Sequence, residues 1–226
     1  MKRTIFTYFL LAFGALFFVN AQEDEKDADE EEGYVEFNDR NNVVHGVYLG
    51  LNFAYGEIEN EDTYMGGLKI AYVANQQFEV GFAGKFLYSE QNVFNAQDGM
   101  NEDLIGAYGG LHLEPILFSK SAVNLSFPLL IGAGAVGYVD RSLIQNEEDV
   151  NLNEDEVAVL FVLEPGISAL FNINRYLQLE AGIKYRFSNK IDLFDSPVNR
   201  INGFSAGIGI KVGVFNLGRN RYKKKI

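Results

Sequence analysis

Residues 157–187 read VAVLFVLEPGISALFNINRYLQLEAGIKYRF, and their side chains sort by parity. From Tyr176 onward, Leu177, Leu179, Ala181, Ile183, Tyr185 and Phe187 share one face, and Gln178, Glu180, Gly182, Lys184 and Arg186 share the other. A period of two is the signature of a strand. Upstream, Val157, Val159, Phe161, Leu163, Ile167, Ala169 and Phe171 form an apolar face opposite Glu164, Gly166 and Ser168. The two runs meet at an Asn-rich connection, residues 172–175, which predicts a tight antiparallel hairpin. A soluble sandwich and a membrane barrel both accommodate such a hairpin, so the rest of the chain must decide.

The same alternation recurs along the chain. Strands are predicted over residues 43–56, 64–73, 78–88, 104–114 and 122–138, then the two of the hairpin, and an eighth carrying Phe204, Ala206, Ile208, Ile210, Val212 and Val214 on one face. The segments between them read alternately as long polar loops (57–63, 89–103, 139–156 and 188–202) and short turns (74–77, 119–121 and 172–175). Alternation of long and short connections is what transmembrane β-barrels show, and a sandwich has no physical reason for it. The prediction is an all-β, eight-stranded, antiparallel up-and-down transmembrane β-barrel over residues 43–215.

On the apolar face, Tyr55, Tyr64, Phe86, Tyr88, Tyr185, Phe187 and Phe204 gather towards the long-loop end, and Tyr72, Phe78 and Phe171 towards the turn end. Two aromatic girdles flanking an aliphatic band are what lipid interfaces select. A soluble, lipocalin-like carrier would need this face inside. With lipid outside, the opposite face lines a lumen. It carries Lys69, Lys85, Lys184, Arg186 and Lys211 against Glu79, Glu114, Glu164 and Glu180. A selective pore favours one sign of charge, whereas near balance predicts mutual pairing that fills an interior only wide enough for side chains.

The N-terminus, with Lys2 and Arg3 before an apolar run over residues 5–19 and Val19-Asn20-Ala21 ahead of Gln22, reads as a signal peptide of residues 1–21. Residues 22–42 are acidic and low in complexity, a disordered periplasmic leader; residues 216–226 form a basic tail. The formal charge of -12 argues against a nucleic-acid partner, and the absence of cysteine excludes disulfides.

Residues 128–138 (PLLIGAGAVGY), 163–187 (LEPGISALFNINRYLQLEAGIKYRF) and 203–215 (GFSAGIGIKVGVF) resemble the small eight-stranded outer-membrane barrels of the OmpA and OmpX type. The resemblance implies an outer-membrane location in contact with lipid and lipopolysaccharide, periplasmic termini, and insertion by the barrel assembly machinery through the last strand. Two departures stand out. The chain continues past the aromatic Phe215, and Pro128 falls inside a predicted strand, where a bulge is expected. The chain also ends too soon for the separate peptidoglycan-binding domain some relatives carry.

Catalysis would need a nucleophile, a histidine base and an orienting carboxylate. Only His45 and His112 are available, and both fall towards the turn side, away from where the barrel hydrolases of this kind work. The acidic run 146–156 lacks the glycine and ligand spacing of a calcium loop. No catalytic, metal or cofactor residues are therefore assigned. The leading expectation is a non-enzymatic barrel that serves the envelope or shows acidic extracellular loops to a partner. A narrow pore or small-ligand conduit, and a lipid-modifying enzyme, are the alternatives.

Overall fold

In the computed structural model the residues described are 44–95, 100–119, 121–140, 157–191 and 198–217; the signal peptide, the leader and residues 218–226 of the tail lie outside them. The strands are β1 (His45–Ile58), β2 (Glu61–Ala74), β3 (Phe78–Asn95), β4 (Met100–Leu117), β5 (Val123–Ser126), β6 (Leu129–Asp140), β7 (Val157–Asn174), β8 (Leu177–Ser188) and β9 (Gly203–Leu217). Every pairing between sequential neighbours is antiparallel. β1 also pairs with β9, from His45↔Leu217 to Gly56↔Ser205, so the sheet closes on itself. Closure leaves no strand edge unpaired, which is the condition for a sheet to stand in hydrocarbon.

β5 and β6 are one strand of the ring, interrupted at Phe127-Pro128, and both lie between β4 and β7. Proline has no N–H to give to the ladder. Backbone bonds from Phe127 N to the Pro115 carbonyl (3.0 Å) and from Gly166 N to the Pro128 carbonyl (2.8 Å) hold the strand in place across the break. The ring is thus eight-stranded, as the periodicity predicts.

Several predicted boundaries are corrected. Residues 57–63 are no long loop: β1 and β2 pair out to Ile58↔Glu61, and the chain reverses through Glu59 and Asn60 at φ of 51° and 70°. A two-residue turn with both φ positive matches the right-handed strand twist. The acidic composition hid the strands because Glu57, Glu61 and Asp62 stand exposed beyond the apolar band, while only Ile58 and Thr63 turn inward and are buried. Likewise β3 and β4 run deep into the predicted loop 89–103, with a register shift between Ser89 and Val93, and end at Asn95 and Met100. Of the four predicted long loops, two are therefore extended hairpins, and the long-and-short alternation is weaker than the sequence suggested. The Asn-rich turn also moves by two residues: Asn172 and Asn174 pair with β8 across a register shift, and Arg175-Tyr176 make the reversal. Asn174 Oδ1 accepts from the backbone N–H groups of Tyr176 and Leu177, at 2.8 and 3.0 Å.

Space for the large inward side chains comes from glycines on the neighbouring strand. A Cβ on Gly50 would lie 2.7 Å from Cγ of Lys69, its register partner, and one on Gly166 would lie 2.5 Å from Cγ of Lys184. At Gly134 and Gly213 it is the neighbouring backbone that comes close: an added Cβ would meet the carbonyl oxygens of Ala107 and Val47 at 2.1 and 2.2 Å and Cβ of Tyr108 and Tyr48 at 2.5 Å.

Candidate functional site: the barrel lumen

The surface is inverted relative to a soluble protein. Leu68, Phe82, Val159 and Ile208 are 66–70% exposed, whereas Glu114, Arg186 and Lys211 are fully buried. Burying so much charge while exposing a continuous belt of large apolar side chains is tenable only where hydrocarbon surrounds the barrel.

Within the lumen, charge is concentrated in the half nearer the turns. Lys211 Nζ lies 2.9 and 3.0 Å from the two oxygens of Glu79, 3.1 Å from Glu114 and 3.9 Å from Glu180. Lys69 Nζ lies 2.5 Å from Glu180 and 3.4 Å from Glu114, and Lys184 Nζ lies 3.1 Å from Glu180. Glu114 also accepts from Ser126 Oγ (2.6 Å) and meets His112 Nε2 (3.0 Å). Next to this group, Lys85 pairs with Glu164, whose other oxygen accepts from Tyr108 Oη at 2.6 Å. Tyr48 donates to Glu79.

Arg186 departs from the predicted pairing. Among the described residues no carboxylate lies within ion-pair distance of it; Nε donates to the Ile201 carbonyl (2.6 Å), Nη1 lies 2.9 Å from Met65 Sδ, and Nη2 has no partner. The reason is position. Arg186 forms the last rung between β8 and β9, beyond Lys184, where the lumen is apolar. There Ile58, Met65, Leu87, Leu104, Leu160 and Val162 pack with Ile191, Val198 and Ile201 from the ends of the β8–β9 connection. The lumen thus holds its ion pairs in one half and mainly apolar packing in the other, where the buried Thr63 hydroxyl donates to Ser89 at 2.8 Å.

Sequence reasoning left Tyr48, Tyr108, His112 and Ser126 out of the network. All share the inward parity with the charged residues, and that was the available signal. The oxygens of Glu79 and Glu114 and a ring nitrogen of His112 lie within 4.8 Å of one another, a spacing that could hold a metal ion. In this structure the Lys211 ammonium already bridges the two carboxylates. His45 faces outward and hydrogen-bonds to Tyr72.

Of the predicted girdle residues, Tyr55, Tyr64, Tyr72, Phe78, Phe86, Phe171, Phe187 and Phe204 are exposed on the outer face, and Tyr88 and Tyr185 are half-buried there. Tyr185 packs on Phe187 and Phe204, with centroids 4.5 and 4.6 Å apart, and Tyr55 on Tyr64 at 5.6 Å. The band between is not purely aliphatic. Phe82 lies between Phe78 and Phe86 on β3, and the Phe53 ring lies beside its register partner Gly66, where an added Cβ would stand 3.9 Å from Cε1 of the ring.

This fold and this inverted surface define a small membrane-spanning β-barrel. No protein-family model and no curated protein match the chain. Among solved structures it is similar to neisserial surface protein A (TM-score 0.48, 11% identity, covering 74% of this chain and 96% of that one). It is also similar to a major outer membrane protein of Thermus thermophilus (0.44, 12%, 74% and 98%) and to Ail, the attachment invasion locus protein of Yersinia pestis (0.40, 13%, 75% and 98%).

Proposed function

We propose that this chain is a non-enzymatic, non-conducting barrel of the outer membrane, which serves the envelope by its rigidity and shows its acidic hairpin tips outward to a partner. One observation carries this reading: both halves of the lumen are filled, by paired charge in one and by apolar packing in the other. Ions crossing it would have to displace Lys211 and Lys69 from buried carboxylates, at a cost of several kcal/mol per broken pair.

The hairpin tip at Glu57, Glu59, Glu61 and Asp62 is exposed and acidic, and suits a cationic partner or lipopolysaccharide bridged by divalent cations. Catalysis has little support. His45 bonds Tyr72 on the lipid-facing surface, and His112 is held on Glu114 inside the ion-pair cluster; the Ser126 hydroxyl donates to that same carboxylate at 2.6 Å rather than to the imidazole, so no histidine is seen activating a serine among the described residues. The signal-like N-terminus supports export, after which the barrel assembly machinery would insert the closing strand.

The test is planar-bilayer recording of the purified wild-type barrel. A silent bilayer is expected. Steady, ion-selective steps would replace this reading with the narrow pore.

A further inference from the structure

At the turn end of the barrel the lumen widens into an open cavity of about 520 Å³. Its wall includes Asn124, Asn172, Arg175 and Gln178, together with Glu79 and Phe215. The volume falls in the range of small-molecule sites. No part of the charge network needs it, because Glu79 is already held by Lys211 and Tyr48.

The amides of the wall form a chain whose orientation is fixed from one end. With Asn124 donating to the carbonyls of Phe118 and Ser121 (2.8 Å each), its oxygen accepts from Asn172 Nδ2 at 3.1 Å. Asn172 Nδ2 also donates to the Ser121 carbonyl at 3.2 Å, so the Asn172 amide cannot turn over without losing both acceptors. Its Oδ1 must then accept, and it does so from Gln178 Nε2 at 2.7 Å. The consequence falls on Gln178 Oε1, a buried acceptor for which no donor is present among the described residues. An orphaned buried acceptor is destabilising, and here the amide chain prevents a flip from relieving it.

We infer that this cavity is a binding site for a neutral saccharide, whose hydroxyl or acetamido N–H donates to Gln178 Oε1 as the Gln178 side chain shifts towards the cavity. The chemistry of the wall selects this class. Planar amides and a guanidinium offer paired donors and acceptors without a dominant charge. Phe215, stacked on Tyr48 at 5.5 Å, offers a ring for the C–H face of a pyranose. An anion would meet the Glu79 carboxylate in the cavity wall, and a lipid tail would leave the amides unpaired.

The experiment uses the folded mature barrel in phospholipid nanodiscs, titrated with N-acetylglucosamine and its β-1,4-linked trimer while the side-chain amide resonances of Gln178 and Asn172 are followed by NMR. Saturable shifts of both are expected, with the trimer binding more tightly. Gln178→Leu should weaken binding about tenfold, the loss of one hydrogen bond and the cavity-facing amide, while the unboiled gel mobility that reports folding stays unchanged. Arg175→Ala, at an exposed turn position, should weaken it several-fold. Absence of shifts at millimolar sugar overturns the inference. So does unchanged affinity in Gln178→Leu. A synthetic GRNRYKKKI peptide that produces the shifts when the sugars do not would also overturn it, by assigning the cavity to the chain's own C-terminal tail.

Discussion

Lys211 on β9 places its Nζ 2.9 and 3.0 Å from the two oxygens of Glu79 on β3, across the lumen and 132 residues away in sequence. Both side chains are fully buried, so the ammonium has no water to fall back on. Removing one partner strands the other. Lys211→Met should lower the unfolding free energy in urea by about 3–5 kcal/mol, and adding Glu79→Gln should recover part of that loss. Additive losses in the double variant would show that the two residues do not act as a pair.

Arg186 should behave in the opposite way. It is as deeply buried as Lys211, yet among the described residues it has no carboxylate partner. Arg186→Met exchanges an uncompensated charge for a side chain that suits its apolar neighbours, at the expense of the bond to the Ile201 carbonyl. Stability within about 1 kcal/mol of wild type, or above it, is expected in the same urea titration. A loss as large as that of Lys211→Met would mean that Arg186 has an anionic partner in the folded barrel.

Two glycines separate steric need from composition. A Cβ on Gly134 would meet the Ala107 carbonyl oxygen at 2.1 Å and Cβ of Tyr108 at 2.5 Å, whereas one on Gly84, which faces outward, would meet nothing within 4 Å. Gly134→Ala should cost about 1–3 kcal/mol and reduce the folded fraction on unboiled gels. Gly84→Ala should change stability by no more than about 0.5 kcal/mol. Equal effects would refute the account of the inward glycines as space for the neighbouring strand's backbone and side chains.

Orientation can be tested at the two kinds of reversal. In the proposed topology, a cysteine replacing Glu59 at the β1–β2 tip reacts with a membrane-impermeant maleimide on intact cells. One replacing Arg175 at the β7–β8 turn reacts only after the outer membrane is opened. The reverse pattern would turn the barrel over and place the acidic tip in the periplasm. Since the chain has no native cysteine, each label reports a single site.

Glu180 links Lys69 at 2.5 Å to Lys184 at 3.1 Å near the middle of the charged half. Glu180→Ala should free Lys184, leave Lys69 only its longer contact to Glu114, and open an anion-favouring leak in bilayers in which the wild type is silent. If Glu180→Ala also fails to conduct, the apolar packing around Leu87, Leu104 and Leu160 is the barrier that matters.

The strand count, the antiparallel order and the lipid-facing side chains were legible in the sequence, because a period of two is local and each strand carries its own record of both faces. Leu177 to Phe187 needed nothing else to be read. The sequence did not determine where strands end once the outward face passes the apolar band, so the rungs at Glu57↔Asp62 and Ile58↔Glu61 looked like loop. Nor did it determine partners within the lumen. Parity places Lys85, Lys184 and Arg186 inside, but strand stagger and closure set which carboxylate each meets. Only the tertiary structure gave Glu164 to Lys85, gave Glu180 to both Lys69 and Lys184, and left Arg186 to a backbone carbonyl. The physical reason is that facing a lumen is a property of one strand, whereas contact across it depends on the register of every strand in the ring.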